Sequence, residues 1–189
     1  MKKILTSVLF TLIIGVNAQV IIGDAVGTPG SKTSVLLDFA ANQDKGIIVP
    51  YVRTLPTTLP TRVEGTILLD ASVATNARMK LYNANTDPGT NGWLDLSGQD
   101  ADVSGALISQ PTGVLEISSK AIIGAVSSNA DGVLVLESTT KAMILPIVDD
   151  VQNILSPSPG MMVYVKGVTP NFKKRLAVFN GAKWSFWKP

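Results

Sequence analysis

Two stretches of the chain, VIIGDAVGTPGSKTSVLLDFAANQDKGIIVP at 20–50 and AIIGAVSSNADGVLVLESTTKAMILP at 121–146, follow one plan. Ile21-Ile22-Gly23 matches Ile122-Ile123-Gly124, SVLLDF matches GVLVLE, and KGIIVP matches KAMILP. The correspondence continues downstream. EGTILLD at 64–70 matches PGMMVYV at 159–165, RMKLYN at 78–83 matches RLAVFN at 175–180, and Trp93 to Leu96 matches Trp184 to Trp187. Blocks recurring in one order are the mark of a duplicated structural unit, and they constrain the fold more than any other feature. The chain divides into a leader at 1–18, a first β module at 19–98, a connector at 99–120 and a second β module at 121–189. Within the connector, residues 112–123 echo residues 131–144, so a partial third repeat and an ordinary β connector are both open readings.

The repeated blocks are short and rich in Val, Ile and Leu, and Gly, Pro, Asn, Asp and Ser punctuate them. That pattern predicts strands joined by turns. The expected fold class is all-β with one or two short helices, as tandem small modules built from hairpins. One helix is expected within PIVDDVQNILSPSPG, because Ile147, Val148, Val151, Ile154 and Leu155 share a helical face and Pro157 and Pro159 end it. Pro56 and Pro60 forbid a continuous helix at the matching place in the first module. Asn180-Gly181 lies between two strand-like runs and predicts a closing hairpin, with Trp184 and Phe186 on one face and Trp187 on the other.

The leader MKKILTSVLFTLIIGVNA has two lysines, an apolar run too short for a comfortable membrane span, and small residues before a cut after Ala18. It predicts export, with no membrane span after cleavage. Without the leader's two lysines the chain has 14 basic and 14 acidic residues, and no basic patch suggests nucleic acid. There is no Cys and no His. Disulfides, Cys nucleophiles, His bases, Ser-His-Asp triads and ordinary zinc sites are thereby excluded.

The remaining chemistry is thin. Asn83, Asn85 and Asp87 resemble the start of a calcium loop, but its twelfth position is Leu94 rather than a bidentate acid, so a polar hairpin loop is the expected reading. Asp100 and Asp102 could bind a cation or act as an acid and base, yet no partner acid is identifiable, and a solvated linker is expected. Asp149 and Asp150 suit a helix start. No phosphate loop and no nucleophile elbow occurs. Neither a catalytic residue, nor a cofactor, nor a metal site is expected. The aromatic residues matter more, since four of the chain's eleven lie between Phe179 and Trp187. Trp93, Trp184 and Trp187 are the candidate partner or glycan contacts. Recurrence at matched positions favours a structural anchor for Trp93 and Trp184, because a duplicated fold keeps what closes it.

SNADGVLVLESTTKAMILPIV, SPSPGMMVYVKG and RLAVFNGAKWSFW together resemble a module of secreted surface proteins of the Bacteroidota, also found near the ends of phage-tail-fibre-like proteins. The resemblance is strong in the second module and loose in the first. It implies an extracellular, non-enzymatic structural or adhesive protein at the cell surface. It also implies a homo-oligomer, with a trimer favoured and strands from several chains intertwined, or a subunit of a larger surface complex. The series GALIS, GVLEIS and GVLVLES would suit a stalk of such a fibre. A carbohydrate-binding module using the Trp residues is the alternative, and an enzyme working through carboxylates alone is a distant third.

Overall fold

The computed structural model describes residues 19–58, 61–111, 120–167 and 174–187. The leader and the segment 112–119 lie outside these residues. The first repeat contributes β1 (Val20–Ile22), β2 (Val35–Phe39), β3 (Ile47–Ile48), β4 (Tyr51–Val52), β5 (Ile67–Asp70), β6 (Arg78–Asn85) and β7 (Gly92–Asp95). A short helix, α1 (Ser104–Ile108), follows. The second repeat contributes β8 (Ala121–Ile123), β9 (Leu134–Leu136), β10 (Ala142–Met143), β11 (Ile147–Val148), β12 (Met161–Val165), β13 (Arg175–Phe179) and β14 (Trp184–Trp187). The fold is nearly all β, and the seven strands of each repeat correspond in order.

Registers confirm the duplication pair by pair. β4 runs parallel to β5 with Tyr51 opposite Leu69, and β11 runs parallel to β12 with Ile147 opposite Tyr164. β5, β6 and β7 form an antiparallel meander that places Tyr82 opposite Trp93. β12, β13 and β14 repeat it and place Phe179 opposite Trp184. One block is slipped relative to the sequence match. Ile21 opposes Asp38 in the parallel β1–β2 pair, whereas Ile122 opposes Val135 in β8–β9. Residues 132–137 therefore correspond to 35–40 rather than to 34–39.

Hairpins account for only half of each repeat. β1–β2, β4–β5, β8–β9 and β11–β12 are all parallel, and long connections carry the chain between them in a solenoid-like stack. The helix expected over 147–155 is absent. Ile147–Val148 pairs as a strand, and a single 3-10 turn spans Val151–Asn153, with the Asp150 side chain accepting from Gln152 N–H. The helix that does form, α1, includes GALI, which the stalk reading took as strand. Asp102 accepts from Ser104 N–H at its start, and Leu107 is buried.

Two cores result, and the sheets divide their faces between them. Ile67, Leu69, Met79, Leu81, Leu94 and Leu96 share one face of the first sheet, because residues two apart point the same way. They meet Met162, Leu176 and Val178 of the second sheet, with Val103 and Leu107 of the connector, in a core common to both repeats. The opposite faces differ in chemistry. In the second sheet Met161, Val163, Val165 and Ala177 pack under Val148, Val151 and Ile154. In the first sheet the matching face carries Asp70, Arg78, Lys80 and Asp95, tied by ion pairs Lys80–Asp70 at 2.7 Å, Arg78–Asp95, and Arg78–Asp100 at 2.8 Å. Asp70 stands where the second sheet has Val165, and Lys80 where it has Ala177.

Candidate functional site

The two repeats hold each other by exchanging strands. β10 of the second lies parallel on β2 of the first, with Ala142 N–H donating to Ser34 C=O and Ile144 N–H to Leu37 C=O, each at 2.9 Å. β3 of the first lies antiparallel on β12 of the second, with Ile47 opposite Met162 and Ile48 opposite Met161. Val49 N–H then donates to Gly160 C=O at 3.0 Å, and the Tyr51 hydroxyl donates to Pro159 C=O at 2.8 Å. Burial raises the pKa of that hydroxyl, which keeps it a donor. Approach is close: a β-carbon at Gly46 would lie 2.5 Å from Met161 Cγ and 2.8 Å from Met162 C=O. Glycine is required there by space rather than by backbone angle.

The closing hairpin adds a second contact to the junction. Asn180 is fully buried. Its Oδ1 accepts from Ala182 N–H and Lys183 N–H at 3.0 Å, and its Nδ2 donates to Gln99 C=O at 2.8 Å. Gly181 takes φ +112°, which the turn needs and a side chain resists. Ser185 Oγ donates to Ser97 C=O at 2.6 Å, and Trp187 Nε1 donates to Leu96 C=O at 2.8 Å.

The three tryptophans are not brought together. Trp93 is 3% exposed and meets the Tyr82 ring edge-on at 5.3 Å. Trp184 is half-buried against Phe179 at 5.2 Å, so the same aromatic pair closes both meanders. Trp187 is 39% exposed beside Phe186, which carries the Arg175 guanidinium 4.0 Å over its ring. An open cleft of about 610 Å³ lies beside the β6–β7 loop, lined by Arg62, Tyr82, Asn85, Asp87, Asn91 and neighbours. Its loop side chains serve the loop itself: Asn85 Nδ2 donates to Asp87 Oδ2, Asp87 N–H to Asn85 Oδ1, and Asn85 N–H to Asn83 Oδ1.

The acids are held as structural partners. Asp38 is buried; burial pushes its carboxyl up, but hydrogen bonds from Lys32, Phe39 N–H and Thr28 N–H together with the Lys32 charge outweigh this and hold it below the usual range. For Asp70, burial likewise pushes up, and Lys80 with Ser72 more than offsets it. For Asp95, burial is opposed by Arg78 and by Ser97 and Gly98. Asp100 is lowered chiefly by Arg78, and Asp102 by Ser104. Asp100 and Asp102 thus have separate partners, and the geometry gathers no reactive pair. Among the described residues no group of three or more acids is placed to hold a metal ion.

Residues 122–188 match the model of a family described as a phage tail like trimerisation region. No curated protein and no solved structure matches the chain. The matched span is the second repeat, from the start of its parallel pair to the end of its closing hairpin. With the all-β architecture, the match supports a fibre-like structural protein that forms an oligomer. The described residues contain no helix long and apolar enough to cross a membrane.

Sequence reasoning found the repeat and the aromatic anchors but missed the junction. Gly46 and the bond from Asn180 to Gln99 carried no local signal, although Asn180-Gly181 did mark the turn. The one available clue was KGIIVP and KAMILP, a six-residue block kept in both repeats although each yields only a two-residue strand.

Proposed function

We propose that this chain is a non-enzymatic, exported cell-surface protein that works as a fibre-like or adhesive structural subunit, alone or within a larger surface assembly, and that it associates as a trimer of identical chains. The observation that carries the reading is the trimerisation match over 122–188, on a β unit whose edge strands are already exchanged with a neighbouring repeat. The leader at 1–18 supports export, and the resemblance to Bacteroidota surface modules supports a place outside the cell. The test is the solution mass of purified residues 19–189 by light scattering, with protease exposure on intact cells. A three-chain mass and protease sensitivity are expected. A compact single chain confined to the periplasm refutes the proposal.

A second reading, glycan binding, draws on the half-exposed Phe186 and Trp187 at the end of the closing hairpin. A glycan stacking there would quench Trp fluorescence in a way that Trp187→Ala removes. Absence of any response across a broad glycan panel refutes it.

A further inference from the structure

The strand exchange between the repeats runs one way. β10 lies on β2 and β3 lies on β12. A twofold relation would also place β3 on β9 and β10 on β5, and among the described residues neither pairing occurs. The junction is therefore head-to-tail. Such a contact leaves one half unused in each repeat, and it either closes into a ring or continues.

Both unused halves are present. Among the described residues β9 pairs with β8 alone, whereas β2 sits between β1 and β10. Leu36 and Leu37 of β2 are 3% and 1% exposed, while their counterparts Val133 and Leu134 are 63% and 47% exposed. Ala121 N–H donates to Val133 C=O and Glu137 N–H donates to Ile123 C=O, so the odd-numbered residues bond β8. Leu134 then turns its amide groups to the open edge, as Leu37 turns its carbonyl to Ile144. On β5 the contrast is in its leading glycine. A β-carbon at Gly160 would meet Val49 and Tyr51 at 3.2–3.3 Å, whereas at the matching Gly65 nothing among the described residues lies within 4 Å. Side-chain sizes fit a second use of the junction. Gly46 sits against Met161, and the matching Ala142 would sit against the smaller Thr66.

We propose that the internal junction is repeated between copies of the chain: β3 of one copy pairs with the open edge of β9 in a second, and β10 of that second copy pairs with the start of β5 in the first. The occupant is a second copy because β3 and β10, each paired on one edge among the described residues, have a second edge that is complementary to the open edges of β9 and β5 within one sequence. This rests on the oligomeric reading above and gives it an interface.

The absence of native cysteine makes the test direct. Met143 opposes Leu37 inside the chain, so Ile47 should oppose Leu134 across copies, within disulfide range. Leu134→Cys and Ile47→Cys chains are co-refolded and oxidised. A disulfide-linked pair of chains is expected from the mixture and from neither preparation alone. Val133→Lys, at a site exposed in the single chain, should lower the assembled mass while far-UV circular dichroism stays unchanged. A wild-type oligomer that resists Val133→Lys and gives no cross-link above the single preparations overturns this interface and leaves the oligomeric reading standing. A wild-type protein of single-chain mass overturns both.

Discussion

Asn180→Ala isolates the contribution of the closing hairpin to the junction. The side chain is fully buried and makes three hydrogen bonds, two within its own turn and one across to Gln99 C=O. A net value of about 1 kcal/mol per bond gives roughly 3 kcal/mol lost. Water reaching the turn would reduce this, and the cavity left by the amide would add to it. At roughly 2–4 °C per kcal/mol for a chain of this size, the melting temperature should fall by about 6–12 °C. Asn180→Asp separates bonding from shape. It keeps the acceptor for Ala182 and Lys183 but sets a carboxylate oxygen against Gln99 C=O in a site without solvent, so at neutral pH it should cost more than alanine. The folded state then raises that carboxyl's pKa above its unfolded value. A raised pKa gives stability present in acid and lost as pH rises, so the aspartate variant should recover toward pH 4 while the alanine variant should not. Thermal unfolding followed by Trp fluorescence, at one fixed protein concentration, reads both variants. An alanine variant within about 1 kcal/mol of wild type, or an aspartate variant as stable as wild type at neutral pH, refutes the role given to this side chain.

Two further outcomes follow from other sites. Asp38, Asp70 and Asp95 all have lowered pKa values, so their stabilisation is present above the ordinary carboxylate range and lost as pH falls through the folded values. Melting temperature should be flat near neutrality and drop below about pH 4, and Asp38→Asn should shrink that drop; an unchanged acid limb counts against the assignment. Gly46→Ala should destabilise by about 1–3 kcal/mol in urea titration, because the added methyl meets Met162 backbone that cannot swing aside, whereas Gly30→Ala, with nothing within 4 Å, should be near neutral.

The meanders were legible because their signal is local. RMKLYN and RLAVFN each pair with the next run through a turn, and the apolar alternation fixes which side faces inward. The parallel pairs were not legible, since a strand's own pattern does not name a partner across a long connection. The slip of one residue between β2 and β9 has the same origin. Matching by apolar identity aligned Val35 with Val133, while the stacked sheets align buried Asp38 with Val135. The expected helix over 147–155 failed because its apolar spacing also suits a strand followed by one 3-10 turn, with Val148, Val151 and Ile154 covering the second sheet. Of the candidate site residues, Trp93 and Trp184 sit as recurring anchors. The polar run at 83–90 bonds its own backbone as turn composition foretold, although β6 extends into it as far as Asn85.

The β10–β2 pair also sets an order in time. Val35 waits for Ala142 before the second edge of its strand is paired, and at about 5–20 residues per second of synthesis that wait is roughly 5–20 s. For that interval one edge of a buried-type apolar strand is unpaired on the nascent chain. The first repeat cannot finish folding before the second emerges, so a ribosome stalled or a chain cut between them releases a half that still seeks a strand from elsewhere.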